Sequence, residues 1–361
     1  MAQITVAKGR CWQYSKYIGR RSTAGNGFSQ PIAVAAAPNG VLYVGNRAGV
    51  RITKLTMEEE LIQEIGRGGE EDGQFVWLTS VVLDQDENIY AADEWLNRIT
   101  VFDKEGNLVR TWGESGEADG QLNGPSGIAF DADGNLIVVN SLDSKIQRFT
   151  PTGEYLGGFG TKGNGPGELD MPWGITIDNR GDVYVADGET PEGNSRIAVL
   201  TRDGQFLRQW RLHRTEQDDD IVPLPHCLRL SNDGLVYVCD RRGDRIQVFD
   251  RQGTFIRNID VPWPTNAPQE NRRAETRGTA VVIAFSEDSE QRHLFVVNQN
   301  SVLVNILDRQ TGQVVGSFGG GPGRYMGQFT LPHGIAVDSR GNVYVAEQEG
   351  RRIQKFRLVA P

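Results

Sequence analysis

Residues 124–160 read GPSGIAFDADGNLIVVNSLDSKIQRFTPTGEYLGGFG, and residues 331–356 read LPHGIAVDSRGNVYVAEQEGRRIQKF. Laid over one another, the two stretches show one unit. An apolar strand (GIAF, GIAV) leads into an Asp-x-x-Gly turn and a second strand (LIVVN, VYVAE). A polar turn and a third strand (KIQRF, RIQKF) follow. The copy from Gly124 runs on into a fourth strand, EYLGGF. Each run alternates or stays apolar over a few residues, which is the period of a strand and not of a helix. The first strand recurs near Ile32, Val81, Ile128, Ile175, Leu228, Ile283 and Ile335. Successive copies lie about 47 to 55 residues apart, the spacing of propeller blades. The sequence therefore predicts an all-β fold, a seven-bladed β-propeller spanning 1–361 as one domain.

The last copy stops after its third strand, at Lys355-Phe356-Arg357-Leu358. The missing strand is at the other end of the chain. Residues 12–19 (WQYSKYIG) resemble the strand at 155–160 and lead into a Gly-rich connection. The N-terminal strand is expected to complete the last blade and so remove two open ends.

Composition narrows the function classes. Of 361 residues, 44 are glycine, which suits short strands joined by tight turns. The net charge of −9 argues against a nucleic-acid partner, whose reader carries a basic stripe. No apolar run approaches a membrane span, and MAQITVAKGRCWQY has no apolar core of a signal peptide. The expectation is a cytoplasmic protein without a membrane partner. The three cysteines, Cys11, Cys227 and Cys239, are too few and too odd in number for a disulfide framework. Cys227 and Cys239 read as small buried hydrophobes.

Glycines mark four blade junctions: GRGGEEDGQF (66–75), GESGEADGQL (113–122), GTKGNGPGEL (160–169) and GGGPGRYMGQF (319–329). This spacing resembles NHL repeats over nearly the whole chain. Two junctions depart from it. Residues 211–223 (RLHRTEQDDDIVP) are acidic, and residues 260–278 (DVPWPTNAPQENRRAETRG) are Pro-rich and charged. Both are candidates for a lid or a partner-binding loop, with 260–278 the candidate contact for a protein partner; a tolerated surface insertion is the alternative.

Blade geometry turns the alignment into a candidate site. The start of each first strand lies beside the end of the antiparallel second strand. The first set of positions is Gln30, Thr79, Ser126, Trp173, His226, Val281 and His333. The second set is Asn46, Asp93, Asn140, Asp187, Asp240, Asn298 and Glu347. His226 and His333 share one repeat position, each after Leu-Pro, and two imidazoles at one channel mouth suggest a metal site or an acid–base pair. Asp or Asn in the second set can cap a turn. Glu347 is the only Glu there and shares a blade mouth with His333, so it is a candidate acid, base or ligand. Arg241, next to Asp240, could hold an anionic group. Trp173 is a candidate stacking wall or plug. Ser126 and Asp187 are further candidate contacts for a small substrate. His213 and His293 fall off the pattern and read as surface residues.

Two enzyme families carry a resemblance on these residues. The pieces VADGETPEGNSRIAVLTRDGQFLRQW (185–210), LPHCLRL (224–230) and VCDRRGDRIQVF (238–249) resemble peptidyl-α-hydroxyglycine α-amidating lyase, as does FTLPHGIAVDSRGNVYVAE (329–347). That family binds zinc through three histidines. His226 and His333 match two, and Arg241 matches an active-site Arg. Ser126 stands at the third histidine's position. The loop Asp187-Gly188-Glu189-Thr190-Pro191-Glu192-Gly193 lacks the family's Tyr, and the family has six blades. The chain also resembles virginiamycin B lyase, a seven-bladed propeller using a divalent metal. His333 and Glu347 match its Pro-His-Gly start and its Glu, whereas Val281 stands where its other histidine lies. Glu347, Asp187 or water could supply a third ligand.

Together these imply a lyase acting on a small polar substrate at the channel mouth, possible with a divalent metal (zinc, or calcium or magnesium) and no organic cofactor. His226 and His333 would bind the metal or shuttle protons, Glu347 would act as base or acid, and Arg241 would orient an anionic or carbonyl group. Two alternatives stand beside it: a non-catalytic NHL-type interaction module, and a metal-dependent lactone or ester hydrolase using Asp93, Asp187, Asp240, Asn140 and Asn298.

Overall fold

The alternation read from the sequence becomes antiparallel hairpins, and the first turns that start at Asp84, Asp131, Asp178 and Asp338 are each tied by their own carboxylate. Asp131 Oδ1 accepts the N–H groups of Asp133 (3.0 Å) and Asn135 (2.8 Å). Asp84, Asp178 and Asp338 repeat this Asx turn. The glycine three residues on, at positions 134, 181 and 341, takes the positive φ that closes the turn.

The computed structural model describes residues 4–18, 28–37, 39–56, 58, 60–188, 193–215, 222–261, 280–319 and 321–359. Seven blade sheets follow one another; six are four-stranded antiparallel meanders in chain order, and the last joins three C-terminal strands to two N-terminal ones, five in all. No helix occurs among the described residues. The fold is an all-β, seven-bladed β-propeller, as the repeat implies. Most of the 260–278 loop, the 189–192 stretch and residues 216–221 lie outside the described residues, so the protein-partner expectation for that loop is left where the sequence put it.

The blades fall into two compact units. One holds blades one to four, within Ile32–Leu212; the other holds blades five to seven, within His213–Pro361, with the N-terminal strands. In the second unit, blade five comprises Pro225–Leu230, Val236–Asp240, Arg245–Phe249 and Phe255–Asp260. Blade six comprises Ala280–Phe285, His293–Asn298, Leu303–Asp308 and Val314–Phe318. Blade seven begins with Pro332–Val337, Val343–Glu347 and Arg352–Val359.

Strand Arg10–Ile18 completes blade seven, pairing from Cys11 opposite Val359 to Ile18 opposite Ile353 with one register shift between Tyr14 and Lys16. Trp12 explains why this docking is specific. It is buried, donates from Nε1 to Gly341 O at 3.0 Å, and packs edge-on against His293, Phe295 and Phe318. A fifth strand, Ile4–Ala7, pairs outside it through Ile4↔Gln13 to Ala7↔Arg10. The sequence reading did not anticipate this strand.

Second strands such as Val236–Asp240 and Val343–Glu347 are buried along their whole length. A strand covered on both faces can stay apolar throughout, which accounts for runs such as VYVAD. Blades six and seven share one core. In it Phe295, Val297, Val304 and Ile306 meet Trp12, Tyr14, Val343, Val345 and Phe356. In the other unit, Ile137, Val139 and Ile146 of blade three meet Leu169, Val183, Val185 and Leu200.

Candidate functional site

Each histidine-bearing strand starts with a β-bulge. Pro225 pairs with Asp240 and Leu228 with Val238, so two residues of blade five fall out of regular register between them. Blade seven repeats this between Pro332, opposite Glu347, and Gly334, opposite Ala346. The bulge aims the side chain after the proline away from the hairpin's regular alternation. Two backbone bonds fix the approach: Arg241 N–H donates to Leu224 O (2.9 Å), and Gln348 N–H to Leu331 O (3.0 Å).

These bulges bring His226 and His333 together. Their ring centroids lie 5.9 Å apart with an interplanar angle of 89°, an edge-to-face pair. His226 is 5% exposed, and His333 is half-buried. Beside them, Arg241 Nη2 donates to Gln299 Oε1 (3.4 Å), and Gln299 Nε2 donates to Pro332 O (3.4 Å). Gln299 thus bridges blades five and seven next to the histidines. It follows Asn298 as Arg241 follows Asp240, and that repeat position was the signal that could have found it.

Glu347, the candidate acid, base or ligand, sits in a clamp of hydrogen bonds. It is fully buried. Its Oε1 accepts from Arg352 Nε (2.7 Å) and Gln354 Nε2 (2.7 Å), and its Oε2 accepts from Thr330 N–H (2.6 Å). Arg352 reaches on to the carbonyls of Arg324 (2.7 Å) and Gln328 (2.6 Å), clamping the Gly-rich junction. Asp240 with Arg245 (2.8 Å) and Asp187 with Arg196 (2.7 Å) repeat the pairing. Burial pushes the carboxyls of Glu347, Asp240 and Asp187 above their ordinary values, against the pull of their arginines and donated hydrogen bonds. A Cβ at Gly350 or Gly243 would overlap the Glu347 or Asp240 carboxylate, so the clamp also dictates those glycines. This geometry makes Glu347 an anchor of the junction, in the manner of Asp240 and Asp187.

Ser126, Trp173 and Asp187 belong to blades three and four. Ser126 Oγ lies 2.5 Å from Ser141 Oγ, which donates to Pro172 O at 2.6 Å. Trp173 is half-buried at the start of Pro172–Ile177. Asp187 Oδ2 accepts from Asn194 Nδ2 (2.8 Å) as well as from Arg196. His213 is exposed and stacks on Phe255 at 4.2 Å, as a surface residue does. His293 corrects the surface reading. It is 1% exposed, because the N-terminal strands cover it and bring Ala7 O to 3.3 Å from its Nε2. Burial lowers its pKa.

The donors do not amount to a closed metal site. A catalytic zinc takes three protein ligands, and calcium takes six or more oxygens. Among the described residues no three His, Cys, Asp or Glu side chains gather so as to hold a metal ion. The carboxylates nearest in sequence, Asp240 and Glu347, are committed to arginines.

A family model described as the SMP-30/Gluconolactonase/LRE-like region matches residues 7–218, more than half of the chain. The chain belongs to the SMP-30/gluconolactonase/LRE-like family. An NHL-repeat model matches the two segments that hold the histidines, residues 223–249 and 329–356. Among curated proteins, this family member is 26% identical over 176 residues to NHL repeat-containing protein 3 of Mus musculus, covering 48% of this chain and 46% of the relative. It is 28% identical over 182 residues to a probable peptidyl-α-hydroxyglycine α-amidating lyase of Caenorhabditis elegans, covering 49% and 46%. The chain thus spans a little under half the length of these relatives. Among solved structures, it superimposes on virginiamycin B lyase from Staphylococcus aureus, crystallised with quinupristin, with a TM-score of 0.72 and 14% identity. That match covers 95% of this chain and 99% of the other, and it shows the fold. Among the described residues no helix is long and apolar enough to cross a membrane.

Proposed function

We propose that this propeller is a lyase that cleaves a carbon–oxygen or carbon–nitrogen bond of a small polar substrate between His226 and His333. The observation that carries the reading is the edge-to-face imidazole pair, 5.9 Å between centroids, on the bulged starts of blades five and seven. Two imidazoles at that separation can serve the two ends of one elimination. One takes a proton from an O–H or C–H. The electron pair released forms the new double bond, the bond to the leaving nitrogen or oxygen breaks, and the second imidazole protonates the leaving atom. Arg241, tethered through Gln299 to Pro332 O, would orient an anionic or carbonyl group of the substrate. Glu347 contributes by holding the junction that precedes His333. His226 and His333 would give a divalent cation two protein ligands, fewer than the three of a catalytic zinc, so the proton transfers above are assigned to the imidazoles without a metal.

Two likenesses support the reading: the C. elegans relative named as an amidating lyase and the fold shared with virginiamycin B lyase. A second reading has its own support, since the family's name includes gluconolactonase. An imidazole that takes a proton from water would hydrolyse a lactone at the same place. The test incubates the protein in ¹⁸O-labelled water with a peptide ending in α-hydroxyglycine, with quinupristin and with gluconolactone. Products are read by mass spectrometry. The lyase reading expects cleavage of one of the first two without ¹⁸O incorporated by the cleavage step. Turnover of gluconolactone alone, with one ¹⁸O in the acid, would replace it with the hydrolase. No turnover of any probe would favour the non-catalytic interaction module.

A further inference from the structure

The sequence reading treated Cys227 and Cys239 as two separate apolar fillers. The bulge that aims His226 has a second effect: it sets Cys227 beside Cys239 across the first hairpin of blade five. Their Sγ atoms lie 2.8 Å apart. The hairpin is already fixed on both sides of the pair, by Pro225↔Asp240 and Leu228↔Val238. A disulfide bond needs about 2.05 Å between sulfurs, so closing the gap takes less than about 1 Å of movement and no change of register.

We propose that Cys227 and Cys239 are a redox pair, a dithiol that a peroxide converts to a disulfide directly behind His226. Cys227 is half-buried and Cys239 fully buried, so the two have different roles. Peroxide meets Cys227 first. The O–O bond breaks, a Cys227 S–OH forms, and one water leaves. The Cys239 sulfur then attacks the Cys227 sulfur. The S–S bond forms, the S–O bond breaks, and the hydroxyl leaves with the Cys239 proton as a second water. Two thiols and one peroxide thus give one disulfide and two waters. Burial, with the Cys227 sulfur beside it, pushes the Cys239 thiol up, which keeps it from competing for the oxidant and leaves Cys227 as the thiol that reacts first.

Position makes the pair consequential. Cys227 follows His226 in the chain, and Cys239 precedes Asp240, whose Oδ1 accepts the Leu224 N–H at 3.0 Å. A bond between the sulfurs ties together the two strands whose bulge aims the imidazole. The inference concerns the thiols and the histidine's surroundings, and it holds whether or not the site is catalytic.

The test uses the whole protein. It is reduced, treated with stoichiometric hydrogen peroxide, alkylated and mapped as peptides without reduction. The expected result is one linked pair of peptides carrying Cys227 and Cys239, lighter by two hydrogens, with Cys11 alkylated. In the Cys239→Ala variant, Cys227 should instead be trapped as a sulfenic acid by dimedone. The imidazole NMR resonances of His226 should shift on oxidation of the parent, while those of His213 stay put. The proposal is overturned if Cys227 and Cys239 remain alkylated when Cys11 is oxidised. It is equally overturned if Cys227 runs on to sulfinic acid with Cys239 still alkylated, or if either cysteine is found joined to Cys11.

Discussion

Arg352 Nε donates to Glu347 Oε1 at 2.7 Å, and both side chains are buried inside the last blade. Removing one partner leaves the other as an uncompensated buried charge. Arg352→Met should therefore cost about 3–5 kcal/mol, read as a fall in the urea midpoint. Glu347→Gln keeps an acceptor for Arg352 and should cost less. If Glu347→Gln abolishes turnover at unchanged stability, its place as an anchor is wrong.

This pairing shows where sequence reading works and where it stops. The blades were legible because every second strand repeats an apolar run and three first turns, at Asp131, Asp178 and Asp338, repeat Asp-x-x-Gly. The clamp was legible too, though only as a spacing: Arg follows by five residues in Asp240–Arg245 and Glu347–Arg352. Taken one blade at a time, Glu347 stands out as a lone Glu; taken across blades, it is one more member of that pair. The strand Ile4–Ala7 was not legible because Ile4 and Val6 are exposed and, among the described residues, no other blade has a fifth strand to compare. The histidines could be placed by alignment, but the approach of Cys227 to Cys239 depends on a bulge that shifts the regular alternation.

The N-terminal strand should be indispensable. Trp12 joins blade seven to blade six through its ring contacts and its bond to Gly341. Trp12→Ala should destabilise the protein by about 3–5 kcal/mol, measured by equilibrium unfolding. Removing residues 1–18 should uncover the edge of Arg352–Val359 and produce aggregation visible by light scattering. A truncated chain that stays monomeric with an unchanged midpoint would contradict this closure.

Blade three carries an exception that pH can expose. Lys145 takes the place of the clamp arginine, and its Nζ donates to Glu117 O. Among the described residues, Asn140 Oδ1 and both Asp143 carboxylate oxygens have no hydrogen-bond partner. Burial pushes Asp143 up to about 6, against the pull of Lys145. An unfolded aspartate titrates near about 3.9, so ionisation costs stability progressively between that pH and about 6. Asp143→Asn should therefore stabilise the protein at pH 7–8 by on the order of 1 kcal/mol, allowing for partial exposure. Parent and variant should converge near pH 4. A difference that persists at low pH, or has the opposite sign, would rule out this origin.

The central claim is that His226 and His333 act together. The direct measurement is the rate of cleavage of the α-hydroxyglycine peptide or quinupristin, whichever the parent turns over, by parent, His226→Ala, His333→Ala and the double variant. Unfolding midpoints are recorded alongside. Each single variant should lose about 10²–10⁴-fold, and the double variant should lose little more than either, because the pair works as a unit. Single variants that keep the parent rate with intact folding would contradict the claim.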